Sequence, residues 1–175
     1  MILKLKRTPG LYLVGFMGSG KTTVGRIVAA KLGWAFADID DDIEREQKRP
    51  ISSIFDQQGE AEFRRIETEA IRRRVVGIEA GHPTVVALGG GAFAREENFN
   101  LIGNNGITVW LDCPIDLIRK RIEAATHRPL ARDPLKLEEL YYARRPAYAR
   151  ADFRISVLID DSAGAAAEVL KLPIF

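Results

Sequence analysis

Residues 11–33 read LYLVGFMGSGKTTVGRIVAAKLG: a short apolar run, a glycine-rich turn, and a helix-compatible stretch stopped by Gly33. The turn, GFMGSGKT at 15–22, matches the spacing G-x-x-x-x-G-K-[ST]. Glycines let the backbone wrap tightly and aim its N–H groups inward at phosphate oxygens. Lys21 supplies a point charge for the β- and γ-phosphates, Thr22 a hydroxyl for Mg²⁺, and the helix from residue 21 its positive end. The candidate nucleotide contacts are Gly18, Ser19, Gly20, Lys21, Thr22 and Thr23. An ordinary glycine-rich turn is the plain alternative, but a strand before and a helix after the motif favour ATP or GTP with magnesium.

Many proteins carry such a loop. A GTPase would normally show N-K-x-D, which this chain lacks. A motor ATPase wants acids at a strand end, and the chain is small for one. The run TVVAL (84–88) ends instead in Gly89, Gly90 and Gly91. ITVWLD does end in Asp112, a possible magnesium acid, but the favoured reading is a cap on the helix opening at Pro114. A phosphotransferase with a small acceptor is the best class.

The rest of the chain alternates in the same way. WAFAD (34–38), TVVAL (84–88), ITVWL (107–111) and FRISVLI (153–159) read as strands. Helical stretches lie between them, including short ones around Pro50, a long one at 60–79, one at 114–125, and one that Pro146 bends or restarts. Five strands alternating with helices imply an α/β fold, a three-layer α/β/α arrangement with a parallel sheet whose C-terminal edge carries the ligands.

Bulk properties agree. The 175 residues suffice for one domain, 46% are apolar and 29% charged, and the net charge of +2 is too balanced to argue for nucleic acid. No apolar run is long enough for a membrane span. A single cysteine, Cys113, excludes an internal disulfide, so a cytoplasmic location is expected.

Several spaced motifs then resemble the shikimate kinases, from about residue 11 to 172: the P-loop; FADID as D-x-D; ISSIFDQQGEAEFRRIE; VVALGGGA; HRPL; and RRPAY as R-x-P-x-Y. The resemblance implies the P-loop kinase fold with strand order 2-3-1-4-5, in one domain spanning 1–175. It also implies a substrate-binding segment at 34–63 and a lid at 126–135. The implied activity is transfer of the ATP γ-phosphoryl group to the 3-hydroxyl of shikimate, a step of chorismate and aromatic amino acid biosynthesis, with Mg²⁺ as cofactor. A monomer is expected.

The residue chemistry suits that acceptor. Shikimate is a cyclohexene carboxylic acid with three hydroxyls. Arg64 can present a bidentate fork to a carboxylate, Glu67 three residues on could orient it, and Phe63 would be an apolar wall. The resemblance adds Arg144 as a second carboxylate ligand and places Gly89, Gly90 and Gly91 against the acceptor. It makes Arg128 a lid cation acting on the phosphoryl group in flight, and stacks Arg121 on the adenine side. Arg132 is a further lid cation with no assigned part. Lys21, Asp40 and Arg128 form the catalytic set; Thr22 and Asp38, the latter through water, hold the metal.

Four aspartates crowd FADIDDDIE at 36–44. If 36–40 are extended, Asp38 and Asp40 face one cleft. Asp41 and Asp42 then fall to helix capping, and Arg72, Arg73 and Arg74 to the surface. The alternatives are a gluconate-type kinase, which would share the loop but lack the F-R-x-x-E block; a nucleoside monophosphate kinase, for which D-G-[FY]-P-R is missing; and a nucleotide-gated module without activity.

Overall fold

The structure is a computed structural model describing residues 10–125 and 133–175. The lid arginines Arg128 and Arg132 and the basic N-terminal tail lie outside the described residues. The five strands are β1 (Gly10–Val14), β2 (Ala35–Asp38), β3 (Thr84–Ala87), β4 (Gly106–Asp112) and β5 (Phe153–Ser156). They form one parallel sheet in the order β2-β3-β1-β4-β5. β1 and β3 are buried at every position, as continuous apolar strands covered on both faces must be.

Among the described residues, seven α-helices flank the sheet: α1 (Lys21–Leu32), α2 (Ile39–Gln47), α3 (Ile51–Glu79), α4 (Glu96–Gly103), α5 (Ile115–Ala124), α6 (Pro134–Tyr148) and α7 (Ser162–Leu170). α1 packs on α7 and over β2 and β3; α3 packs on α2 and α4. Gly33 closes α1 in the left-handed conformation, φ 66°, with its N–H returned to the last turn. α3 loses helical geometry at Gly59 (φ 81°, ψ 172°), which separates the short helix from the long one. α6 runs on through Pro146, which sits close enough to the helix end to cost one hydrogen bond without ending it. The core joins β1, β3 and β4 to the helices through Leu11, Leu13, Val86, Val109 and Leu111 on the sheet and Val28, Ile71 and Ile118 on α1, α3 and α5. No helix among the described residues is long and apolar enough to cross a membrane.

Parallel pairing brings every strand's C-terminal end to one edge. There the turn after β1, the end of β2, the glycines after β3 and the end of β4 meet. β1 is paired on both sides, so the loop it launches sits at the centre of that edge.

Candidate active site

The loop after β1 is tight. Ser19 N donates to Phe16 O at 3.2 Å, and Gly18 and Gly20 take φ of 75° and 94°, a region that costs a side chain strain. Lys21 opens α1, and its Nζ donates to Gly15 O and Phe16 O, both at 2.9 Å. That folds the ammonium over the cradle. Thr22 is half-buried on the same turn and Thr23 is exposed. Ser19 is buried, and its Oγ has no hydrogen-bond partner among the described residues.

Asp38 ends β2 and caps α2. Its Oδ1 accepts from Asp40 N at 3.0 Å and Asp41 N at 3.4 Å, while Oδ2 accepts from Thr22 Oγ1 at 2.5 Å. The helix therefore begins at Ile39. This corrects the division of the four aspartates. Asp40 lies in the first turn of α2, not on an extended strand, and Asp38 rather than Asp41 or Asp42 is the cap. A strong side-chain acceptor directly after the strand turns the chain into helix one residue before alternation could carry Asp40 round. Asp42 is buried and takes both Nε and Nη2 of Arg74, at 2.6 and 2.7 Å. Arg74 is therefore no plain surface residue; Arg72 and Arg73 are half exposed, in ion pairs with Glu97 and Glu46.

Asp40 nonetheless reaches the cleft by way of the helix. A Cβ on Gly89 would stand 2.9 Å from Asp40 Oδ1 and 3.0 Å from Glu67 Oε2, so both acids flank that glycine. Burial, with Asp38 and Glu67 nearby, pushes Asp40 up to about 6. Glu67 is buried too, and desolvation raises its pKa against the pull of Arg64.

Two guanidinium groups face the next glycines. Arg64, 13% exposed, donates from Nη1 to Glu67 Oε1 at 2.7 Å. Its guanidinium lies so close to Gly91 that any Cβ there would clash. Arg144 Nη1 would be 3.1 Å from a Cβ on Gly90. Phe63 is buried against Phe55, with ring centroids 4.6 Å apart, and its ring lies under Arg64. Gly90 also meets the P-loop: Met17 N would be 3.5 Å from its Cβ.

The neighbouring arginine has a different task. Arg145 forms a two-pronged pair with Asp112, at 2.7 and 3.2 Å, and donates to Tyr141 Oη at 2.7 Å. Arg154 also pairs with Asp112. The reading of Asp112 as a helix cap is thus overturned. α5 starts after Pro114 without a side-chain cap, and the buried carboxylate is turned to the two arginines.

Arg121, on α5, reaches the P-loop and is only 18% exposed. Nη1 donates to Gly18 O at 2.9 Å, while Nε and Nη2 donate to Asp160 Oδ1 at 3.1 and 2.7 Å. It borders a groove of about 570 Å³ with Leu117, Leu158, Ile159 and Asp160.

Sequence reasoning missed two participants in the site, Tyr148 and Asp160, and the true partner of Asp42. Tyr148 Oη donates to Gly90 O at 2.5 Å, on the same glycine that Arg144 faces, tying α6 to the glycine turn. It is the last residue of R-x-P-x-Y, so the motif signalled it without a role. Asp160 and Asp42 had no local signal, because their partners are 39 and 32 residues away.

A phosphate cradle at the centre of a parallel sheet, facing two arginines and two acids across a glycine turn, defines a P-loop phosphotransferase with a small anionic acceptor. The family model for shikimate kinase matches residues 17–172. A shikimate kinase of Persephonella marina is 43% identical over 147 residues, 83% of this chain and 87% of that one. Among solved structures, shikimate kinase from Acinetobacter baumannii in complex with shikimate superposes with a TM-score of 0.86 at 36% identity, covering 94% of this chain and 92% of that one. The Aquifex aeolicus shikimate kinase gives 0.80 at 32% identity over 92% and 94%. This chain belongs to the shikimate kinase family.

Proposed function

We propose that the chain transfers the γ-phosphoryl group of ATP to the 3-hydroxyl of shikimate, releasing ADP and shikimate 3-phosphate. The observation that carries this is the convergence of Arg64 and Arg144 on Gly90 and Gly91, with Asp40 beside Gly89 and the P-loop backbone against Gly90. A carboxylate gripped by the two arginines leaves the hydroxyl side of a small ring between Asp40 and the phosphate loop. The Acinetobacter relative, solved with shikimate, supports the same acceptor here.

The P-loop N–H groups and Lys21 hold the phosphates. The acceptor oxygen bonds to the γ-phosphorus as the bond to the β–γ bridging oxygen breaks. The transition state is loose, so positioning and charge stabilisation dominate. Asp40 accepts a hydrogen bond from the hydroxyl and can take its proton. With a pKa of about 6 it is a better base than an ordinary aspartate while remaining mostly ionised at neutral pH. Arg128 is the assigned lid cation for the transferring group.

Thr22 Oγ1 and Asp38 Oδ2, 2.5 Å apart at the cradle's mouth, are hard oxygen donors that fit magnesium. No cluster of three or more metal-binding side chains occurs among the described residues, as suits an ion that keeps its waters and phosphate ligands. Bound there, magnesium would neutralise phosphate charge. We further propose a monomer in the cytoplasm, without nucleic acid or membrane partners.

The test is ADP release with shikimate, gluconate and AMP as acceptors. Turnover with shikimate alone is expected. ATP binding without shikimate turnover would overturn the proposal, and turnover with gluconate would select the sugar-kinase alternative.

A further inference from the structure

We infer that Asp160 is a positioning residue for the nucleotide, fixing the guanidinium of Arg121 as one wall of the groove beside the P-loop. The inference rests on the reading of this cradle as an ATP site.

Arg121 has three donor nitrogens, and all three are engaged at the edge of the guanidinium plane. Nε and Nη2 meet Asp160 Oδ1, and Nη1 meets Gly18 O. In-plane bonds do not occupy the flat faces of the guanidinium, so the face bordering the groove can stack, the contact that a planar base makes best. The groove supplies the other surface. Leu158 and Ile159, 74% and 69% exposed, line it together with Leu117. Two large apolar side chains left open to water beside a flat cation suit an aromatic ring that would cover them.

Asp160 sits on the loop between β5 and α7, and Arg121 on α5. The bridge Asp160–Arg121–Gly18 therefore joins that loop to the P-loop through one side chain. As a stabilising pair it counts for little, because the Asp160 side chain is 72% exposed. Its effect is on direction. An unpaired arginine samples many rotamers, and holding it in one removes that ordering cost from the binding step.

The experiment uses the full chain and ATP alone, by calorimetry, for wild type, Asp160→Ala, Asp160→Asn, Arg121→Ala and the double variant, with thermal melts of each. Asp160→Ala is expected to weaken ATP binding about fivefold, the upper end for an exposed pair, with a melting temperature within about 2 °C of wild type. Asp160→Asn keeps an acceptor oxygen and restores most of the affinity. In the Arg121→Ala background, Asp160→Ala adds no further loss. In steady state, the KM for ATP rises while that for shikimate moves less than about twofold. Unchanged ATP affinity in Asp160→Ala would overturn the inference, as would equal losses with and without Arg121. If wild type binds ATP with this dependence on Asp160 yet does not phosphorylate shikimate, the proposed acceptor fails and the inference stands.

Discussion

Thr22 Oγ1 and Asp38 Oδ2 are 2.5 Å apart, although the two residues come from different strand–helix junctions, 16 positions apart. The same carboxylate caps α2 through its other oxygen. Asp38 thus serves the fold with one oxygen and the cradle with the other. Asp38→Asn should separate the two duties, because asparagine caps helices as well as aspartate does. Turnover is expected to fall about 100-fold or more, as for loss of one stabilising charge in an active site, while the melting temperature stays close to wild type. A parallel fall in both would mean that the residue acts only through folding.

Arg64 should matter for geometry as well as charge. Arg64→Lys keeps a cation but loses the two-pronged fork and the contact with Glu67 Oε1. The KM for shikimate is expected to rise by about 10- to 100-fold, the worth of one to two charged hydrogen bonds, with ATP affinity nearly unchanged by calorimetry. Equal losses for both substrates would point to misfolding.

Arg144 and Arg145 should diverge despite adjacency. Arg144→Ala is expected to raise the KM for shikimate. Arg145→Ala strips the buried Asp112 of its two-pronged partner and should cost about 2 kcal/mol in urea unfolding. Similar behaviour of the pair in both assays would dissolve the assignment.

The aspartates of α2 divide in a way that can be measured. Asp42→Asn breaks a two-pronged bond with Arg74 and should cost about 2 kcal/mol. Asp41 is exposed, so Asp41→Asn should stay within about 0.5 kcal/mol. Neither should alter turnover at a temperature where the protein is folded.

Glu67 gives a pH signature. Its folded pKa is raised above the ordinary 4.5, so in the window above that value the folded state binds more protons than the unfolded chain. Its contribution to stability is therefore greatest below 4.5 and declines as pH rises through the folded value. Glu67→Gln should flatten this part of the melting temperature against pH. An unaltered slope would assign the dependence elsewhere.

What the sequence disclosed follows from range. The P-loop is a local device: its spacing and flanking periods lie within 23 residues, and the structure keeps strand, turn and helix in order. Arg64 and Glu67 are one helical turn apart, so their contact was legible as well. Period-two reasoning ran one residue too far at Asp38, because strand end and helix cap are the same side chain. The partnerships of Asp42 with Arg74, Asp112 with Arg145 and Asp160 with Arg121 span 32 to 39 residues. Each depends on which helices the sheet order brings together, which no local pattern encodes.

That sheet order has a mechanical corollary. β1 and β3 are direct neighbours, Leu13 is in register with Ala87, and Leu88 N still bonds Leu13 O at 3.1 Å. Two residues past those positions begin the phosphate loop and the glycine run. The spacing between the phosphate loop and the glycine run is thus gauged by adjacent strands, about 4.8 Å apart. Under the proposed function, such a backbone ruler would leave side chains free to choose the acceptor while the strands hold the two loops at a constant separation.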